Sequence, residues 1–202
     1  EVATFLVISP ILGFFIAGAL ILALLWICRH MIGQRVNQAF RKYQLLSAAS
    51  MAFAHGTNDA QKSMGIIALA LITYGKLEAT GTHVAVPIWV KLACALAMGF
   101  GTMSGGWKII KTMGTKIVRL RPIHGFAAET ASAIVILGAA RAGIPVSTTH
   151  VIAGSIMGVG TSTNVSAVRW GIAGNMVVAW VLTIPVSALL AGGFLKLVAP
   201  YF

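Results

Sequence analysis

The sequence predicts an all-α integral membrane protein in which a broken transmembrane helix faces a re-entrant helical hairpin, the two forming one half of an inverted-repeat architecture. Three observations predict it. The 202 residues are 58% hydrophobic and only 9% charged, whereas soluble domains carry about a quarter charged residues. Apolar runs of membrane-spanning length recur along the chain. Two polar clusters, His55 to Lys62 and Pro145 to His150, interrupt those runs, and ionisable groups at membrane depth are costly enough to mark a functional site.

Fifteen Lys and Arg against four acids give a formal net charge of +11. A nucleic-acid-binding domain would share that basic balance, but not a mean hydropathy of +0.90. The lipid bilayer is therefore the expected partner, and nucleic acid is not. Basic loops on the cytoplasmic side account for the excess. Cys28 and Cys94 lie in or beside apolar runs and define neither a disulfide framework nor a thiolate metal site.

The elements follow in order. Residues 1–42 make a first span and a cytoplasmic basic loop: Phe5 to Ile27 is almost uninterruptedly apolar, and Arg29, Arg35, Arg41 and Lys42 follow it. Residues 43–202 make the repeat unit. Within it, 44–74 reads as two helical pieces with a break at the polar cluster, because Gly56 tolerates unusual backbone angles and Asn58 and Asp59 compete for local backbone. The outside loop Gly75 to Pro87 leads to a Gly- and Ala-rich span at 88–107 and a second basic loop at 108–121. The two basic loops hold nine of the fifteen basic residues, and the chain crosses twice between them, so both fall on the cytoplasmic side.

Residues 123–160 read as the re-entrant hairpin. The arms are Ile123 to Ala140 and Ser147 to Gly160, with the breakers Gly143 and Pro145 between them. The second arm would be about 21 Å long, short of a hydrocarbon core of about 30 Å. A last span at 170–198 contains Asn175 and Pro185, which puts both termini outside. Three full crossings from the broken helix to the end of the chain give the odd count that an inverted repeat requires. Gly101-xxx-Gly105 and Gly154-xxx-Gly158 read as close helix packing, and Trp89, Trp107 and Trp170 as interfacial aromatics.

The first cluster holds His55, Thr57, Asn58, Asp59, Gln61 and Lys62. Asp59 suits a hard cation such as Na+, Thr57 and Asn58 add neutral oxygens, and Lys62 can pair with Asp59 three residues back. In the second cluster, Ser147, Thr148 and Thr149 follow a proline at a helix start. Hydroxyls and free N–H groups there can cap the helix or encircle an anion. Glu129 is the other intramembrane carboxylate, open to cation ligation, proton carriage or an ion pair.

Gly56-Thr57-Asn58-Asp59, extended by Ala60-Gln61-Lys62-Ser63-Met64-Gly65, and Pro145-Val146-Ser147-Thr148-Thr149-His150 together resemble the signatures of the inorganic phosphate transporter (PiT) family of secondary transporters. The resemblance covers about Arg41 to Leu195, in the C-terminal half of such a protein. It implies a multi-pass, prokaryotic inner (plasma) membrane transporter, not an enzyme, moving phosphate by cation-coupled symport and alternating access. Phosphate would bind at Asn58, Asp59, Ser147, Thr148 and Thr149. The coupling ion, Na+ or H+, would be held by Asp59 with Thr57, Asn58 and Glu129, and His55, Gln61, Lys62 and His150 would support them. No organic cofactor is implied, and no metal beyond coupling Na+. An N-terminal half, or a second copy in a homo-oligomer, is expected to complete the site.

Three other readings stay open. Sulfate shares the size and acceptor geometry of phosphate. An intramembrane metallohydrolase would use His55, Asp59, His150 and Glu129 as ligands, although no His-Glu-x-x-His motif is present and the three hydroxyls would be unexplained. A passive channel would carry currents rather than saturable, ion-coupled uptake.

Overall fold

A computed structural model describes residues 2–78, 85–111, 114 and 117–199; the side chains of 2, 3 and 108–110 lie outside that description. Parts of the loops predicted at 75–87 and 108–121 fall outside the described residues. Among the described residues six α-helices run in order: α1 Val2–Ile27, α2 Gly33–Thr73, α3 Ile88–Lys111, α4 Pro122–Arg141, α5 Thr148–Thr163 and α6 Trp170–Val198. No strand occurs among the described residues. Four of the described segments are long and apolar enough to cross a membrane: Thr4–His30, Ile88–Trp107, Pro122–Arg141 and Trp170–Val198.

The chain divides into two compact units, Glu1–Val168 and Arg169–Phe202. In the second, α6 is one helix of 29 residues that continues through Pro185. In the first, α1 packs on α5, α2 on α4, α4 and α5 on each other, and α3 on α2. The first span thus shares a core with the hairpin; it is not a separate segment at 1–42.

The contact between α1 and α5 is made by small residues. On α1 the buried positions Ser9, Gly13, Ala17 and Ile21 recur every fourth residue, while Val7, Ile11, Phe15 and Leu22 face outward. On α5, a Cβ at Gly154 would collide with the Pro10 backbone, and one at Gly158 with the Phe14 backbone. Gly154-xxx-Gly158 therefore does bring two helix backbones together. Gly101 and Gly105 do not: they are exposed, and a Cβ on either would meet nothing within 4 Å.

Gly158→Ala is expected to lower stability by about 1–3 kcal/mol, because backbone cannot yield to the added methyl. Gly138→Ala in α4, where a Cβ meets nothing, is expected to raise stability by about 0.5–1 kcal/mol by removing backbone entropy from the unfolded chain. Thermal unfolding of the two variants in detergent, which should shift in opposite directions, checks both.

Two helices end at a glycine in the left-handed region. Gly75 (φ 65°) follows α2 and Gly143 (φ 67°) follows α4. At each, the next residue bonds back five positions: Lys76 N–H to the Leu71 carbonyl and Ile144 N–H to the Ala139 carbonyl, both 2.9 Å. These are left-handed caps that close the last helical turn.

The largest departure from the sequence reading is α2. It runs unbroken through 41 residues, about 61 Å at 1.5 Å per residue, with no gap at the polar cluster. Gly56 keeps a helical φ, since positive φ among the described residues occurs at Gly75 and Gly143. The Thr57 hydroxyl donates to the Phe53 carbonyl one turn back (2.7 Å). Asn58 and Asp59 find partners across the fold, so they do not compete for their own backbone, and one helical glycine costs only about 1 kcal/mol. The helix also starts at Gly33, so most of the predicted basic loop is helical. Val36 and Phe40 are buried there, and the Phe40 ring lies 5.3 Å from that of Phe126 on α4, edge-on.

Candidate functional site

The polar face of α2 meets the turn before α5. His55, Asp59 and Lys62 stack on one side of the helix at spacings of four and three residues. His55 Nε2 lies 3.0 Å from Asp59 Oδ2, and Lys62 Nζ lies 3.1 Å from Asp59 Oδ1. From the hairpin, the Thr148 hydroxyl donates to Asp59 Oδ2 (3.3 Å). Two side chains of α2 reach back: Lys62 Nζ donates to the Val146 carbonyl at 2.7 Å, and the buried Asn58 amide to the same carbonyl at 3.3 Å. The Val146 carbonyl lies just ahead of α5, so two donors converge on an oxygen outside any helical ladder.

The three consecutive hydroxyls have three different surroundings. Ser147 is the N-cap of α5 and accepts the His150 N–H (3.4 Å). Thr148 is turned to Asp59. Thr149 is exposed and lines the neighbouring cavity. The N–H groups of the first turn have no intrahelical acceptor, and the helix start carries the positive end of the dipole.

Glu129, on α4, belongs to a second constellation. It accepts the Ser47 hydroxyl at 2.5 Å and a hydrogen bond from the Gln44 side chain. Gly125 makes room for this, since a Cβ there would strike the Gln44 amide. Ser47 lies twelve residues before Asp59 on α2, an axial distance of about 18 Å. Glu129 and Asp59 therefore do not close on one ion, as the shared cation site expected from sequence would require. Neither Lys62 nor Arg141 pairs with Glu129; its partners are neutral.

Other sequence candidates sit apart. The Thr57 hydroxyl is bonded within α2, Gln61 is exposed, and His150 Nδ1 faces the Leu6 carbonyl of α1 at 3.5 Å. Among the described residues, no three His, Cys, Asp or Glu side chains converge as metal ligands would, so the metallohydrolase set of His55, Asp59, His150 and Glu129 is not assembled.

A cavity of about 1190 Å³ links the two constellations: His55, Thr148 and Thr149 line one part, Gln44, Arg121 and Glu129 another. Gln44, Ser47 and the Val146 carbonyl were not anticipated. Gln44 and Ser47 are three residues apart in an apolar stretch, and that spacing was their only signal.

Described residues that are all helix or connecting turn, with four candidate spans, and a polar cluster set against a capped helix start, define a membrane protein with a polar site between α2 and the start of α5. The chain belongs to the phosphate transporter family: the PHO4 family profile matches residues 1–191. It is 49% identical over 186 residues to a probable low-affinity inorganic phosphate transporter of Rhizobium meliloti, covering 92% of this chain and 55% of that one. A protein of the same description from Bacillus subtilis is 47% identical, with the same coverage. The fold matches a solved structure described as "The sodium-dependent phosphate transporter", with a TM-score of 0.65 and 30% identity over 74% of this chain and 37% of the other. The chain spans about half the length of the curated relatives it matches.

Proposed function

We propose that this chain forms one half of a secondary transporter that couples entry of inorganic phosphate to a cation across a prokaryotic plasma membrane. The observation that carries the reading is Thr148. It belongs to the first turn of α5, an anion-attracting helix start, and its hydroxyl reaches the carboxylate of Asp59. An oxyanion cradle and a cation-holding acid thus adjoin at one edge of a cavity. Phosphate would sit against the start of α5, accepting from the Thr149 hydroxyl and the first-turn N–H groups. The relatives' names support phosphate as the substrate. Na+ and H+ are both candidate coupling ions: the name of the structural neighbour supports Na+, and the occupation of Asp59 by Lys62 supports H+.

The length of α5 supports a re-entrant arm, since 16 residues reach about 24 Å against a core of about 30 Å. Alternating access would come from an inverted second repeat rocking against this one. We assign the other half of the site to that repeat, for which the relatives' greater length leaves room, and a second copy of this chain is the alternative partner.

Uptake of labelled phosphate into proteoliposomes carrying the intact transporter tests the reading. Saturable uptake that responds to an imposed cation gradient is expected. Sulfate in excess should compete weakly; competition equal to that of unlabelled phosphate would make the substrate a general tetrahedral oxyanion. Thr149→Val, which removes the hydroxyl facing the cavity, is expected to raise KM for phosphate about fivefold, the equivalent of one neutral hydrogen bond. An unchanged KM would remove Thr149 from the binding set.

A further inference from the structure

We propose that the Lys62 ammonium is a built-in counter-cation of Asp59, filling the position a coupling Na+ would take there, so that phosphate binding needs no Na+. For transport, this rests on the phosphate reading above; for cation binding, it stands alone.

An Asp–Lys pair three residues apart on a helix is ordinarily a surface ion pair of small consequence. Lys62 differs in where it goes. Its Nζ passes Asp59 Oδ1 at 3.1 Å and ends on the Val146 carbonyl of the hairpin at 2.7 Å. The shorter contact is the one between segments. A carboxylate oxygen of α2 and a free main-chain carbonyl of the hairpin turn form the kind of oxygen donor set that binds a hard cation. The ammonium holds both oxygens at once. Asn58 donates to the same two groups, at 3.4 Å to Asp59 Oδ1 and 3.3 Å to Val146, so each is already met by donors. With His55 on Oδ2 and Thr148 on the same oxygen, Asp59 is surrounded by hydrogen-bond donors on both sides.

A Na+ at this position would have to displace Lys62 from both oxygens and lie beside its charge. The tethered ammonium is present at an effective concentration set by its own side chain, which free Na+ cannot easily exceed. The pair also ties α2 to the hairpin tip through a charge that cannot diffuse away. The positive charge needed beside an arriving phosphate is thus supplied by the chain itself.

The test uses the purified intact transporter, with NaCl exchanged for choline chloride at fixed ionic strength and pH. Wild type and Lys62→Arg should show no Na+-specific rise in Tm. Lys62→Gln and the shape-preserving Lys62→Met should gain one, and adding Asp59→Asn should abolish it. A Na+ response equal in wild type and Lys62→Gln, or a gain that survives Asp59→Asn, overturns the assignment. In proteoliposomes with an imposed pH gradient, wild-type phosphate uptake should stay within about twofold when choline replaces Na+, while a fall of about tenfold or more, near 1.4 kcal/mol of lost binding, overturns the proposal without need of any variant. If wild type takes up no phosphate in either medium while the Tm pattern holds, the phosphate reading fails and the Lys62 assignment stands.

Discussion

Asp59→Asn is expected to reduce phosphate uptake about a hundredfold, near 2.7 kcal/mol, with the protein still folded. The amide nearly preserves the shape of the carboxylate but not its charge. Asp59 receives His55, Lys62 and Thr148 together, and hydrogen bonds to charged groups are worth about 1.5–3 kcal/mol each, more than neutral ones. An Asn can still accept from Thr148 through its carbonyl oxygen. It cannot balance Lys62, whose ammonium would be left with the Val146 carbonyl alone. Side-chain exposures of 44% for His55, 26% for Asp59 and 41% for Lys62 place the cluster at a partly open edge, so the unbalanced charge is expected to disturb the site more than the fold. The measurement is initial uptake rate in proteoliposomes beside Tm in detergent. Uptake within about twofold of wild type, less than one ordinary hydrogen bond, would show that the carboxylate has no part in transport.

What the sequence made legible was local. The apolar runs of α1 and α6, the glycines that close α2 and α4, and the Ser147 cap of α5 each depend on residues within a turn or two of one another. The same holds for Gly154 and Gly158, whose spacing on one helix already marks a face where a backbone can approach. The two polar clusters were legible as clusters because polar side chains in apolar runs need partners somewhere.

What the sequence hid depends on partners about 80 to 90 positions away. Asn58 and Asp59 looked like helix breakers because their usual alternative to helix is their own backbone. In the fold their partners are Val146 and Thr148, and once those are met the helix has no reason to break. Residues 33–42 looked like a loop because Arg35, Arg41 and Lys42 follow the first apolar run. The amphipathic signal, Val36 and Phe40, gains its meaning only from the ring of Phe126 on α4. Glu129 was open to cation ligation, proton carriage or an ion pair, and its partners Gln44 and Ser47 are neutral and carry no charge pattern to read.

Glu129→Gln is the second large effect expected: uptake lower by at least about tenfold, or 1.4 kcal/mol, with Tm nearly unchanged. This substitution separates chemistry from packing. A glutamine oxygen can still accept the Ser47 hydroxyl and the Gln44 amide, so the contacts that join α4 to α2 survive. What is lost is the ability to hold a charge or a proton in the wall of the cavity. If Glu129 only fastens two helices, then Ser47→Ala, which removes one of those contacts outright, should be as damaging as Glu129→Gln, and both should appear in Tm. If Glu129 carries a proton or neutralises a passing cation, Glu129→Gln should abolish coupled uptake while Ser47→Ala changes it by only about two- to threefold, the scale of one weakened hydrogen bond. A counterflow measurement, exchanging labelled for unlabelled phosphate with no ion gradient, sharpens the contrast. Exchange that persists in Glu129→Gln while gradient-driven uptake is lost would assign the carboxylate to the coupling ion. Equal loss of exchange and driven uptake, with Tm intact, would assign it to phosphate binding or to the motion that carries it. Its partner Ser47 lies about 18 Å along α2 from Asp59, which makes the first outcome the expected one.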